Sequence, residues 1–489
     1  MVFNSFLYIL CFLPLVCILY RLLEWKNVPF VSRVFLAAAS LVFYGWASLA
    51  SLPVLLASIL FNYASGVFIS ERLKDRGGAR KALTALAIGA NVILLGYFKY
   101  SNFFIENVNL ALGTNLGAVS GFLPLGISFY TFIQISFLVD CYRGTVTPGN
   151  ALNYGLFVAF FPKVTAGPLM TYKEILPQFA LKAGKAISGE IISRALFIFA
   201  LGLFKKSVIA DNLAPCVNQG FDTVAVLTLF EAWAVSLGYT LQLYFDFSGY
   251  TDMAMGAALL LGVRLPVNFS TPYRSLDVRD FWRRWHVTLG AFLGSYLYIP
   301  LGGNRKGAFA TYRNLMITFL ICGVWHGAGW TFILWGFLHG AAIVIHRMWT
   351  RLGFTMNGLF AWVLTFSFVN ICWVFFRANT IGDALKVVRG MFLFNGITLP
   401  EKLEPVTGWL KGLVPLTYGH PLGGINGDIA FALLIALGFV LSVFGKNSDE
   451  LAGSFKPTFG NALVTGSLIF MSLLMIAREK VVEFIYFNF

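Results

Sequence analysis

Apolar runs of about 20 residues, the length that carries a helix across bilayer hydrocarbon, recur from one end of this chain to the other. Their cores are residues 3–20, 34–49, 53–69, 82–100, 122–140, 188–204, 227–247, 251–263, 288–301, 314–330, 331–346, 357–376, 429–444 and 459–476. That pattern predicts an all-α polytopic bundle with about ten to twelve spans. Cores 251–263 and 288–301 are too short or too polar to cross, and read as re-entrant or interfacial pieces. Composition agrees: 58% of the 489 residues are hydrophobic and 12% are charged, about half the charged share of a soluble domain. The first run starts at Phe3 with no basic segment before it and no small-residue cleavage site. It is therefore expected to stay as a span rather than to leave as a signal peptide. No internal repeat or long linker interrupts the pattern, so residues 1–489 read as one membrane domain.

The net charge is +14. In a polytopic membrane protein such an excess belongs to cytoplasmic loops. No nucleic-acid motif accompanies it, so a nucleic-acid partner is not expected. The loop from Glu71 to Lys81 is strongly basic and is expected in the cytoplasm. Arg21, Lys26 and Arg33 lie two spans earlier on the same side, which puts the N-terminus outside. Segment 101–121 holds Glu106 but no Lys or Arg, as an external loop would. Lys163, Lys173, Lys182 and Lys185 return the chain to the cytoplasm, and so do Arg264, Arg274, Arg279, Arg283, Arg284, Arg305, Lys306 and Arg313. The stretch 396–428 is the longest non-spanning segment. The six cysteines lack metal-type spacing and read as reduced packing residues.

Three polar groups stand out against this background. His326 lies in Gly323-Val324-Trp325-His326-Gly327-Ala328-Gly329-Trp330, inside an apolar run. An ionisable side chain at membrane depth is costly and marks a functional site by default. Gly323 and Gly327, and again Gly336 and Gly340, are spaced for close helix approach. The residues alone leave His326 as a catalytic base, a structural hydrogen-bonding group or a proton relay. Tyr239, Gln242, Asp246, Gly249 and Tyr250 share one face of a helix. Such a stripe faces either a cavity or a neighbouring helix. In Asp280-Phe281-Trp282-Arg283-Arg284-Trp285-His286, helical spacing puts Trp282, Trp285 and His286 on one face, with Arg283 and Arg284 on another. Asp280 is placed to pair with Arg284. This reads as an interfacial helix with His286 facing inward. His339 and His346 share a face, but no carboxylate or cysteine completes a set, so no metal is expected.

Taken in order, the motifs resemble a known family, the membrane-bound O-acyltransferases, and within it the bacterial alginate O-acetyltransferase-like branch. They include FYGW at 43–46, NVILLGYFKYSNFF at 91–104, PLGISFYTFIQISFLVDCYRG at 124–144 and FFPKVTAGPL at 160–169. The central ones are QLYFDFSGYTDMAMG at 242–256, PVNFSTPYRS at 266–275, DFWRRWHVTLG at 280–290 and YLYIPLGGNR at 296–305. GVWHGAGWTFILWGFLHG at 323–340, WVFFRA at 373–378 and the terminal FIYFNF follow. The chain departs from the alginate branch at Gly294-Ser295, where that branch commonly has an arginine–aspartate pair. This weakens the implication of alginate in particular.

The resemblance implies a transmembrane helical bundle with re-entrant and interfacial helices around a central tunnel. It makes His326 the catalytic histidine and His286 the second recurrent one. The implied activity moves an acetyl group from a cytosolic thioester across the inner membrane to O-acetylate an extracellular polysaccharide such as alginate. Gln242, Asp246 and Trp325 would line the tunnel, and Arg283, Arg284 and Arg305 would attract the anionic donor. No bound cofactor is implied. Acetyl-CoA or another acyl thioester is the co-substrate, and the partners are the bilayer and a periplasmic acetyltransferase or the polysaccharide acceptor. Alternatives are another acceptor (peptidoglycan, cellulose or another exopolysaccharide), D-alanyl transfer to teichoic acid, and a polytopic transporter without chemistry.

Overall fold

A computed structural model of the protein describes residues 1–179, 188–412, 414–478 and 484–488. Lys182 and Lys185, read above as cytoplasmic, lie outside the described residues, as does the terminal Phe489. The chain is helical nearly throughout. Eight of the described helices are long and apolar enough to cross a membrane, which makes this a multi-pass membrane protein. They are α1 (Leu7–Trp25), α2 (Pro29–Ala47), α3 (Ser51–Arg72), α4 (Gly77–Leu112), α13 (Gly307–His326), α14 (Trp330–Arg351), α15 (Gly358–Arg377) and α20 (Phe459–Arg478). Between α4 and α13 come α5 (Ile127–Arg143), α6 (Ala151–Ala159), α7 (Tyr172–Phe179), α8 (Gly189–Phe204), α9 (Asp211–Asn218), α10 (Leu229–Leu260), α11 (Val278–Arg284) and α12 (Val287–Leu293). After α15 come α16 (Ile381–Met391), α17 (Glu404–Thr407), α18 (Ile429–Phe444) and α19 (Ser448–Gly453).

The chain forms two compact units. The first comprises Met1–Leu203, Tyr250–Val267 and Ala452–Phe489. Its core is aromatic: Phe3, Tyr8, Phe12, Phe43 and Phe161 pack with ring centroids 4.8 to 6.4 Å apart. Polar ties add direction, because apolar side chains gain little by leaving lipid for protein. Asn62 on α3 and Asn91 on α4 exchange side-chain hydrogen bonds of 3.1 and 2.7 Å. Gln134 on α5 donates to Ser58 at 2.9 Å and accepts from Tyr154 at 3.2 Å.

The second unit comprises Phe204–Gly249 and Asn268–Leu451. It holds α9, the larger part of α10, and α11 to α18. Within it, α13 and α14 form a hairpin closed by three residues, Gly327 to Gly329. Glycine is required at the seam. A Cβ on Gly336 would meet the Phe319 carbonyl oxygen at 2.5 Å and the Gly323 Cα at 3.1 Å, and one on Gly323 would run into the Phe332 carbonyl oxygen. The glycine spacing seen in the sequence thus marks a real close contact between backbones.

One expectation needs correction. Runs 227–247 and 251–263 are not a span plus a re-entrant piece. They form the single 32-residue helix α10. Its polar residues are buried against protein, where lipid sets no limit on span length, so nothing breaks the helix at Ser248-Gly249. The stretch 288–301 is short, as read: α12 and the π-helical turn Gly294–Tyr298 give an apolar helix from Val287 to Tyr298. Segment 396–428 carries the parallel strand pair β1 (Ile397–Leu399) and β2 (Leu416–Tyr418), with Ile397 opposite Leu416.

Candidate functional site

His326 is the last residue of α13, and the chain leaves it extended, with φ of −162° at Gly327 and −169° at Gly329 before α14 begins. A residue ending its helix is freed from the intrahelical face pattern, and here it turns into protein. The imidazole is 3% exposed. Three rings hold it: Trp325 at 4.8 Å, Trp335 of α14 at 5.0 Å and 87°, and Phe376 of α15 at 5.1 Å and 74°. Edge-to-face packing of this kind fixes a ring's plane as well as its position.

His286 reaches the same neighbourhood by a different route than its spacing suggests. The Trp282–His286 stretch is not one helix. Helix α11 begins at the N-cap Asp277, whose side chain accepts from the Asp280 backbone at 2.8 Å, and ends at Arg284. Trp285 is extended, and His286 adopts φ 45°, ψ 52° before α12 starts. A left-handed backbone is uncommon outside glycine and costs free energy that the surroundings must supply. This turn, not a helical face, sends both Trp285 and His286 inward, each essentially fully buried.

Asn268 supplies the second constraint. Its side-chain oxygen accepts from the Thr288 backbone N–H at 3.2 Å and from the Thr288 hydroxyl at 2.9 Å. It also faces His286 Nδ1 at 3.1 Å. A backbone N–H can only donate, so the atom of Asn268 at this point is the carbonyl oxygen. His286 Nδ1 must then carry a proton, which leaves Nε2 with its lone pair. The ring packs on Phe247 at 4.8 Å and on Trp325 at 6.4 Å. Trp325 therefore contacts both His286 and His326.

The α10 stripe is partly committed to structure. The Asp246 carboxylate is 2.7 Å from Lys206 Nζ, and Lys206 is also 2.7 Å from Asp211. All three groups are buried, and Lys206 sits on the π-helical turn Lys205–Ala210. A buried ion triad is expensive to desolvate and is held by complete pairing. Tyr239 OH and Gln242 Oε1 are buried and have no hydrogen-bond partner among the described residues, as fits groups that meet a ligand or water.

The arginines are divided. Arg284 pairs with Asp280 at 2.9 Å, as its spacing predicts. Arg283 lines a cavity of about 450 Å³. Arg279 and Arg347, not singled out in the sequence, line it too, together with the apolar Leu315, Phe319 and Cys322. Arg305 is not part of that lining. Cys322 is one helical turn before His326 on α13.

Sequence reasoning did not anticipate Lys206, Asn268 or the packing of the α14 side chains Trp335 and His339 on each other, at 4.9 Å. The helix pattern places the latter two four residues apart, and that was the available signal.

A multi-pass helical membrane protein with two buried histidines against one tryptophan is the class this geometry defines. The sequence profile of the membrane-bound O-acyltransferase family matches residues 111–383. The chain is 39% identical to the peptidoglycan O-acetyltransferase of Helicobacter pylori over all of its own length and 98% of that protein's. It is also 39% identical to the probable alginate O-acetylase AlgI of Pseudomonas aeruginosa, over 86% of this chain and 80% of the relative. A teichoic acid D-alanyltransferase of Streptococcus thermophilus is 28% identical over 48% of this chain and 59% of its own. The chain belongs to the membrane-bound O-acyltransferase family and is an acyltransferase.

Proposed function

We propose that the protein takes an acetyl group from a cytosolic thioester, acetyl-CoA or another acyl thioester, and moves it across a bacterial inner membrane. The acceptor is a hydroxyl of an extracellular polysaccharide, reached directly or through a periplasmic acetyltransferase partner. The observation that carries this reading is the buried His326 at the end of α13, caged by Trp325, Trp335 and Phe376. Peptidoglycan is placed ahead of alginate as the acceptor. The Helicobacter pylori relative matches the whole chain, whereas the alginate relatives match 82% to 86% of it. The Gly294-Ser295 departure from the alginate branch points the same way. Alginate is the second reading, favoured by identities of 36% to 40% across several alginate O-acetylases.

In the proposed reaction the His326 imidazole takes the proton of the acceptor hydroxyl. The hydroxyl oxygen bonds to the thioester carbonyl carbon, and the carbonyl electrons move onto oxygen. The tetrahedral intermediate then collapses and the C–S bond breaks. The leaving thiolate takes the proton held by His326 and departs as a thiol. The C-terminal end of α13 favours the positive charge that the imidazole carries between those transfers. His286, with its tautomer set by Asn268, orients the donor or assists proton transfer. Arg279, Arg283 and Arg347, around an apolar cavity, suit a donor with phosphates on a slender chain.

The test is His326→Ala in a strain lacking the native gene. Base-released acetate from purified peptidoglycan and from exopolysaccharide is measured beside an immunoblot of the membrane fraction. The proposal expects acetate to fall to background while the protein remains in the membrane. Acetylation at the wild-type level would refute the mechanism. Loss from exopolysaccharide but not from peptidoglycan would reverse the order of acceptors.

A further inference from the structure

Acyl transfer needs donors for the oxyanion as well as a base. Resting on the reading above, we propose that Trp335 Nε1–H and His339 Nε2–H are those donors. Both side chains are fully buried. Trp335 is the ring set edge-on to His326 at 5.0 Å, and His339 lies one turn further along α14, 4.9 Å from Trp335. Residues four apart on a helix stand on one face.

The protonation state of His339 follows from a neighbour. Trp282 Nε1, which can only donate, points at His339 Nδ1 from 3.2 Å. Nδ1 is therefore the bare nitrogen of a neutral ring, and Nε2 carries the hydrogen. Neither His339 Nε2 nor Trp335 Nε1 has an acceptor among the described residues. The rings around them, Phe281, Phe368, Trp373 and Phe376, offer no lone pairs of their own. Two N–H groups on adjoining rings thus stand desolvated and unanswered, one of them on the ring packed against the proposed base. Buried donors are normally paired, and exceptions of this kind cluster where a ligand completes the site.

The chemistry fits an oxyanion rather than a proton relay. An indole N–H and the N–H of a neutral imidazole are weak acids, so they donate hydrogen bonds without giving up the proton. When the acceptor oxygen attacks, the carbonyl π electrons localise on oxygen. Two fixed N–H groups stabilise that charge best where water is absent. Collapse returns the electrons to the carbonyl as the C–S bond breaks, and both donors are unchanged.

The experiment uses the full-length protein in nanodiscs, acetyl-CoA as donor and solubilised peptidoglycan fragments as acceptor. Trp335→Phe removes one donor and keeps a ring. His339→Phe removes the other, and His339→Gln restores an N–H at that position. Expected results are a fall in kcat of about 10²-fold for Trp335→Phe and for His339→Phe. KM for acetyl-CoA and the melting temperature should stay near wild type, and His339→Gln should recover much of the loss. A Trp335→Phe enzyme with wild-type kcat would overturn the proposal, and so would a His339→Gln enzyme as slow as His339→Phe. A loss in every variant that tracks a lowered melting temperature would also overturn it. Wild-type turnover in His326→Ala would instead remove the His326 base mechanism on which the inference rests, while leaving the Trp335 and His339 results to be read on their own.

Discussion

Asn268 fixes the tautomer of a histidine 18 residues away through one carbonyl oxygen. Removing that oxygen takes away an acceptor shared by the Thr288 backbone N–H and the His286 ring, and so weakens the preference of the ring for one tautomer. Losing such a hydrogen bond costs about 1–2 kcal/mol, or roughly tenfold in an equilibrium between ring states. Asn268→Ala should therefore cut the acetylation rate about tenfold, while Asn268→Asp, which keeps an acceptor, should lose less. Initial rates at saturating acetyl-CoA check this, and equal losses in both variants would deny the tautomer role. The sequence marks His286 by its motif, but the local geometry is hidden. Spacings of three and four residues imitate a helical face, whereas the chain turns left-handed at His286 and starts a new helix. Asn268 falls inside the PVNFSTPYRS motif, but nothing there singles it out, because its importance lies in a contact that only folding creates. His326 is the opposite case, since a histidine flanked by tryptophan and glycine in an apolar run announces itself.

The α13–α14 hairpin is the element whose sequence and structure agree most closely. Its glycines were legible because small residues repeat every four positions. What the pattern withheld is the partner atom: a carbonyl oxygen at Gly323 and Gly336, and a side chain at Gly327 and Gly340. Gly336→Val should therefore be poorly accommodated, since backbone cannot swing aside as a side chain can. A cost of about 1–3 kcal/mol is expected from overpacking, with His326 displaced from the Trp335 edge. A lowered melting temperature together with lost turnover checks it, and a stable, active Gly336→Val protein would show that the seam can open. Lys206 lay beyond the reach of pattern reading. A lysine just past an apolar run reads as a membrane boundary, yet this one is buried between Asp211 and Asp246. The same burial bears on the 32-residue length of α10. Its polar residues are buried, and Asp246 pairs with Lys206, so the window that delimits lipid-facing helices does not apply to it.

Across the whole chain, hydropathy located the spans far better than it set their ends. Eight helices satisfy length and composition. Several other apolar runs proved shorter, or were joined, because neighbouring protein replaces lipid around them. Charge asymmetry adds a direction that coordinates alone do not carry. The basic loop at 71–81 should be cytoplasmic and the loop after Leu112 external. A reporter active only outside the cytoplasm should be silent when fused after Leu73 and active when fused after Gly113. The reverse result would invert the whole topology. Acceptor identity was not legible in either sequence or fold, because a sugar hydroxyl imposes little that distinguishes one polymer from another on a buried imidazole.

The three-residue closure between α13 and α14 also bears on how the protein is made. Helices joined by only three residues are expected to enter the bilayer as a pair rather than one after the other. Released alone, α13 would offer its terminal imidazole to lipid. Released with α14, it enters the bilayer with Trp335 already beside the ring. On that expectation the glycine seam would matter during biosynthesis too, keeping the His326 ring away from lipid before the rest of the chain has been translated.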